Sequence, residues 1–135
     1  MKKFLFFLAF ICIGQTAFTQ AEVVFKEEVQ TPVPVITFDK NTYDLGDVKK
    51  GETRQIEYTF KNTGTDFLEI ELVTSCHCTT IDWPKGPVAP GADGKITVTY
   101  DSTEQKMGQI KKTIDIICNT DPIVVEAFFH VNVTE

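Results

Sequence analysis

Apolar and polar side chains alternate with a period of two over most of the chain from residue 35 onward, the pattern of strands with one buried face. Ile56, Tyr58 and Phe60 alternate with Glu57, Thr59 and Lys61. Leu68, Ile70 and Leu72 alternate with Glu69 and Glu71, which sets the aliphatic residues inward and the carboxylates outward. Ile96, Val98 and Tyr100 repeat the pattern, as do Ile114, Ile116 and Cys118, and then Val125, Ala127, Phe129, Val131 and Val133. Residues 35–38 and 43–48 supply two further short strands.

Turn-forming residues interrupt these runs every eight to twelve positions or so. They are Lys50-Gly51-Glu52, residues 62–66, the Pro- and Gly-rich connection 87–94, the polar loop 101–109, and residues 119–122. Residues 62–66 read as a hairpin loop in which Gly64 is free to take positive φ. No stretch carries a 3.6-residue apolar stripe, an internal repeat or a low-complexity run. The pattern predicts an all-β fold, an immunoglobulin-like antiparallel β-sandwich of about seven strands over residues 35–135. A closed barrel is the alternative that periodicity does not separate from it.

The first 19 residues have a different character. Lys2 and Lys3 precede an apolar run from Phe4 to Gly14 that is short for a bilayer span, and Ala17 and Thr19 place small residues where a signal peptidase reads. Residues 1–19 are therefore expected to be a signal peptide cleaved before Gln20, with cleavage after Ala21 as the close alternative and an uncleaved membrane anchor as the other reading. Residues 20–34 lack a sustained period, contain Pro32 and Pro34, and read as a linker into the domain. The expected location is exported, periplasmic or extracellular, with no membrane span after cleavage.

Composition narrows the function classes. The 135 residues carry 13 basic and 19 acidic side chains, a formal net charge of −6. Loss of Lys2 and Lys3 with the signal moves it to −8. Such a balance excludes nucleic-acid or anionic-membrane binding through bulk charge. The six Phe left after loss of the signal (25, 38, 60, 67, 128 and 129), with Tyr43, Tyr58, Tyr100 and Trp83, argue against disorder.

Four segments in order carry a resemblance: Phe38 with Tyr43-Asp44-Leu45-Gly46-Asp47-Val48-Lys49-Lys50-Gly51-Glu52, then Phe60-Lys61-Asn62-Thr63-Gly64, then Ser75-Cys76-His77-Cys78-Thr79, then Ala89-Pro90-Gly91. Together, over about residues 36–133, they resemble the exported bacterial domains of unknown function numbered 1573, a group similar to Hydin-type and major-sperm-protein domains. The resemblance implies an Ig-like fold and export but no established reaction. His77 stands where that pattern commonly has Gly.

The chemistry-bearing candidates are few. Cys76, His77 and Cys78 place two thiols and an imidazole within three residues, soft donors suited to copper or zinc. If residues 68–75 and 110–118 are antiparallel neighbours, Cys76 falls near Ile110, and Cys118 lies at the opposite end, roughly 20–25 Å away at ~3.3 Å per residue. A tight turn at 119–122 sets His130 opposite Lys111, on the end nearer Cys76, so His130 is the remaining candidate metal ligand. Cys76 and Cys78 are also candidates for a disulfide with each other or with another chain, and for plain packing at the end of a strand, and Cys118 is the candidate buried free thiol. Trp83 is expected as a core anchor near the cysteine end. No Cys-x-x-Cys, Gly-x-Ser-x-Gly or His-Glu-x-x-His occurs, and residues 86–91 fail as a phosphate loop because Ala92-Asp93 follows. The leading expectation is a non-catalytic module that binds or scaffolds a protein partner in the cell envelope, with no catalytic residues and no bound cofactor. A soft-metal or thiol-redox protein is the alternative.

Overall fold

A computed structural model describes residue 28 and residues 30–135. The expected signal peptide and residues 20–27 and 29 of the expected linker lie outside the described residues. Eight strands are formed among the described residues: β1 (Ile36–Phe38), β2 (Thr42–Lys49), β3 (Thr53–Asn62), β4 (Ile70–Thr74), β5 (Thr79–Asp82), β6 (Asp93–Asp101), β7 (Gly108–Cys118) and β8 (Val124–Thr134). They make two four-stranded sheets, in the orders β1-β3-β6-β5 and β2-β8-β7-β4. The fold is the expected Ig-like sandwich, with eight strands in place of about seven.

The alternating residues close the core between the sheets. Ile56, Tyr58 and Phe60 of β3, Ile96, Val98 and Tyr100 of β6, Ile114, Ile116 and Cys118 of β7, and Ala127, Phe129, Val131 and Val133 of β8 are all buried. Phe60 lies across from Gly94 in the β3–β6 pair, and its ring occupies the place a Cβ at Gly94 would need. The missing side chain is filled by the neighbour's aromatic ring.

Three local expectations are corrected. Leu72 points out to solvent and Val73 points in, because a register shift between Ile70 and Leu72 moves the β4 alternation by one residue. Residues 62–66 do not form a hairpin: β3 and β4 belong to different sheets, and the segment crosses between them. Gly64 is needed there for close approach rather than for positive φ, since a Cβ would strike the backbone of Val33, Pro34 and Val35. Finally, β2 pairs with β8 in parallel, so the sandwich is not wholly antiparallel.

That parallel pair has a simple cause. β1 runs beside β3 in one sheet, the chain crosses at residues 39–41, and β2 continues in the same direction beside β8 of the other sheet. One extended run of chain therefore covers part of the edge of each sheet. The ladder between β2 and β8 begins only at Thr42 and Phe128.

Asn62 fastens the start of this run. Its buried side chain donates through Nδ2 to Asp66 O (2.7 Å) and Val88 O (2.9 Å), and its Oδ1 accepts from Val35 N–H (3.3 Å) and Gly64 N–H (3.0 Å). Val33 O also accepts from Thr65 N–H. Among the described residues, Val33 of the expected linker is thus hydrogen-bonded to the domain.

Candidate functional site

The cysteines sit at a corner between the sheets. β4 ends at Thr74, and β5 starts at Thr79 in the other sheet, so residues 75–78 carry the chain across. Cys76 and Cys78 are joined by a disulfide, with their Cα atoms 5.1 Å apart. Cys76 is half-buried, His77 exposed, and Cys78 packs at the margin of the core.

The corner holds its shape through other bonds as well. Thr79 donates to Cys76 O from both N–H (3.1 Å) and Oγ1 (2.8 Å). Asp101 N–H donates to Cys78 O (2.8 Å), and Ser75 Oγ donates to Thr113 O (2.7 Å). The loop closed by the disulfide contains only His77 between the cysteines. By chain entropy, closing so short a loop contributes only ~1.6 kcal/mol, against about 3 kcal/mol for a fifteen-residue loop. The bridge is a weak staple in a corner already fastened.

The expected partners are distributed as follows. Ile70 pairs with Cys118 and Thr74 with Asp115, which sets Cys76 level with Thr113 rather than Ile110. The shift arises because β4 starts at Ile70, while Leu68 instead bridges to Val88. Cys118 is buried at the far end of β7 with a free thiol, its Sγ 3.0 Å from Thr120 Oγ1. His130 pairs opposite Lys111, as the turn arithmetic required. Its exposed imidazole lines a shallow depression with Asp44, Gln109, Lys111 and Asn132, on the strand beyond β7 from the cysteines. Cys76, His77 and Cys78 are thus together and His130 apart from them. Among the described residues no group of three or more His, Cys, Asp or Glu side chains is placed to hold a metal ion. Trp83 follows β5 away from the corner and lies beside Glu69, Ile70 and Glu71, at the end opposite the cysteine end where it was expected. The Lys85 ammonium sits over its ring, 2.8 Å from the centroid.

A second place was not anticipated from sequence. Phe128 N–H donates to Asn41 O (2.7 Å), so the outer side of β8 is the side β2 occupies. Strand alternation directs the backbone N–H and C=O of Val124 and Glu126 to that same side. There β2 has not yet begun, and no described strand pairs with them. On the facing sheet β1 is an edge strand; Val35 O, just before it, accepts from Thr63 N–H and Asp39 N–H, just after it, donates to Thr59 O, which turns the backbone groups of Ile36 outward.

Between these two free edges runs a groove of about 620 Å³, walled by Pro34, Val35, Ile36, Pro122, Val124 and Phe128 among others. Asp121 and Glu126 are the charged residues of its lining, and both are acidic. Val124 of its wall is 46% exposed, and the preceding Ile123 is 63% exposed. The available sequence signal was the run Ile123-Val124-Val125, three consecutive aliphatic residues in which alternation fails.

Comparison with known proteins agrees with the fold. A family model described as "Protein of unknown function (DUF1573)" matches residues 36–133. No curated protein matches the chain. A protein of unknown function from Porphyromonas gingivalis W83 is similar in structure, with a TM-score of 0.67 and 20% identity over 79% of this chain and 51% of that one. The chain therefore spans about half the length of that protein. The ASH / PapD-like domain 7 of human CEP192 matches with a TM-score of 0.59 and 13% identity over 85% of this chain and 96% of that domain. Part of the secreted serine protease VesC from Vibrio cholerae also matches, with a TM-score of 0.56 and 17% identity over 73% of this chain and 23% of the protease. At these identities the likenesses concern the fold alone. Among the described residues no helix is long and apolar enough to cross a membrane.

Proposed function

This chain belongs to the DUF1573 family, and from that premise we propose that its Ig-like domain is an exported, non-catalytic module that binds an extended segment of another protein along the free outer edge of β8. The observation that carries the reading is the gap in strand pairing at residues 124–127, where backbone donors and acceptors line an apolar groove. A free strand edge recruits an extended peptide by completing its ladder, and the flanking pockets choose alternate side chains. The lining selects the partner's chemistry: aliphatic side chains toward Val35, Ile36 and Val124, with Lys or Arg toward Asp121 and Glu126. The net acidic charge, −6 for the full chain and −8 without Lys2 and Lys3, favours approach of the same basic-flanked segment. Export rests on Lys2, Lys3 and the apolar run after them, and the Cys76–Cys78 bridge suits an oxidising compartment.

Amide hydrogen exchange tests the binding mode, with a short synthetic peptide of alternating valine and threonine, lysine at both ends, as the probe. Exchange at the Val124 and Glu126 amides is expected to slow in its presence, and a glutamate-ended version is expected to bind more weakly. Val124→Pro removes one outward N–H without touching a β7–β8 bond, and should abolish the protection. Unchanged exchange at both amides with peptide in excess, or protection at Leu72 on the β4 edge instead, refutes the assignment. Export is checked separately by N-terminal sequencing of the mature protein, expected to begin at Gln20 or Glu22.

A further inference from the structure

The cysteine corner points to an activity independent of the groove: we propose that the Cys76–Cys78 bridge is a redox-active disulfide that oxidises a dithiol presented by another protein. A bridge kept for stability closes a long loop or ties elements that are otherwise loose. This one encloses a single residue, and the turn around it is already held by Thr79, Ser75 and Asp101. Opening it therefore leaves the fold in place, which is what a disulfide needs in order to cycle. Access is present as well. Cys76 is half-buried rather than sealed, and His77 is exposed. A cleft of about 200 Å³, lined by His77, Cys78, Asp101, Thr103, Glu104 and Gln105, opens on the Cys78 side of the bridge. A disulfide that a partner thiolate can reach is the kind that exchanges.

The step balances with the partner's dithiol as reductant. A partner thiolate attacks Sγ of Cys76, the less buried of the two residues, and the Sγ–Sγ bond breaks. Cys78 leaves as a thiolate and takes up a proton, while Cys76 and the partner are joined by a mixed disulfide. The partner's second thiolate attacks the partner sulfur of that bond and releases Cys76, which is protonated in turn. Two electrons and two protons have passed to Cys76 and Cys78, and the partner departs as a disulfide. Cys118, buried at the far end of β7, takes no part.

The test uses the oxidised mature chain, with a synthetic Cys-x-x-Cys dithiol peptide and glutathione as probes, followed by alkylation and mass analysis. The dithiol peptide is expected to reduce the bridge at least ~10-fold faster than it reduces the buried disulfide of an immunoglobulin domain, with the circular dichroism spectrum unchanged. Cys78→Ser, whose Cys76 is a free thiol, should exchange with glutathione disulfide to give a mixed disulfide at Cys76 and one released glutathione thiol. Should that variant not fold, wild-type protein quenched part-way through reduction should carry glutathione on Cys76. A rate no faster than the reference, loss of the fold on reduction, or no adduct at Cys76 overturns the proposal. A glutathione rate matching that of the dithiol peptide overturns the assignment of a dithiol partner.

Discussion

Asn62→Ala should be among the most damaging single changes in this domain, although it removes no apolar side chain. The wild-type amide makes four hydrogen bonds, to Val35, Gly64, Asp66 and Val88, and is fully buried. Each such bond is worth about 0.5–1.5 kcal/mol net, and a buried group left unpaired costs about 1–3 kcal/mol. Val35 and Gly64 lie near the surface and can recover water, so their share is small. Val88 O is the acceptor whose bond to Asn62 is enclosed, although it also accepts from Leu68 N–H. The sum is a loss of ~3 kcal/mol, or roughly 12–24 °C in Tm for a domain of this size. Asn62→Asp sharpens the test. The carboxylate keeps the acceptors for Val35 and Gly64, but faces Asp66 O and Val88 O with oxygen where Nδ2 donated. A buried charge facing two carbonyls should cost more than the truncation. Urea denaturation of the three proteins measures both differences. A loss below ~1 kcal/mol for Asn62→Ala, or an Asp variant more stable than the Ala variant, refutes the idea that this amide fastens the first strand. The consequence for binding is direct, because Val35 and Ile36 wall the groove.

Two buried tyrosines should respond oppositely to loss of the hydroxyl. Tyr58 Oη donates to Phe128 O (2.8 Å), so Tyr58→Phe should destabilise by ~1–2 kcal/mol, whereas the Tyr100 hydroxyl has no hydrogen-bond partner among the described residues and Tyr100→Phe should be neutral or stabilising by up to ~1 kcal/mol; thermal unfolding of the two variants decides it. Cys118→Ser should cost ~1–2 kcal/mol by burying a more polar group, and should leave the reduction rate of Cys76–Cys78 unchanged, because Cys118 pairs with Ile70 at the other end of β4; a changed rate would break the strand assignment. The Thr103 hydroxyl, then its backbone N–H, hold the Asp101 carboxyl below its ordinary value against a small opposing effect of burial. A depressed carboxyl contributes stability above its unfolded value and loses it as pH falls through the folded one. Thr103→Val should therefore move the Asp101 titration, followed by NMR, upward toward the ordinary carboxylate range; an unmoved titration refutes the attribution.

What the sequence made legible follows from what a period of two encodes. Alternation fixes which face of a strand is buried, so β3, β6, β7 and β8 could be read residue by residue, and a tight turn fixed His130 opposite Lys111. Alternation says nothing about which sheet the next strand joins. Residues 62–66 have the composition of a hairpin loop yet cross between sheets, and the evidence for that lies in contacts from Gly64 to Val33–Val35 that no local pattern records. Leu72 was misplaced for a related reason: one shifted residue in β4 reverses every later assignment on that strand, and the Glu69–Thr74 composition fits both phases.

The two proposed sites divide along the same line. The cysteine corner was visible because its chemistry is contiguous in sequence, although its oxidised state and the bonds that make its bridge dispensable came from distant Thr113 and Asp101. The groove was invisible because it is made by a mismatch of lengths. β8 begins four residues before β2 can reach it, since the chain spends those residues as β1 on the other sheet. An unpaired edge of this kind is an aggregation liability unless something covers it. β8 carries Glu126 on the open stretch, where a like-charged copy would be repelled while a basic segment would be drawn in. The same charge that keeps the edge from pairing with itself therefore sets the class of partner it accepts.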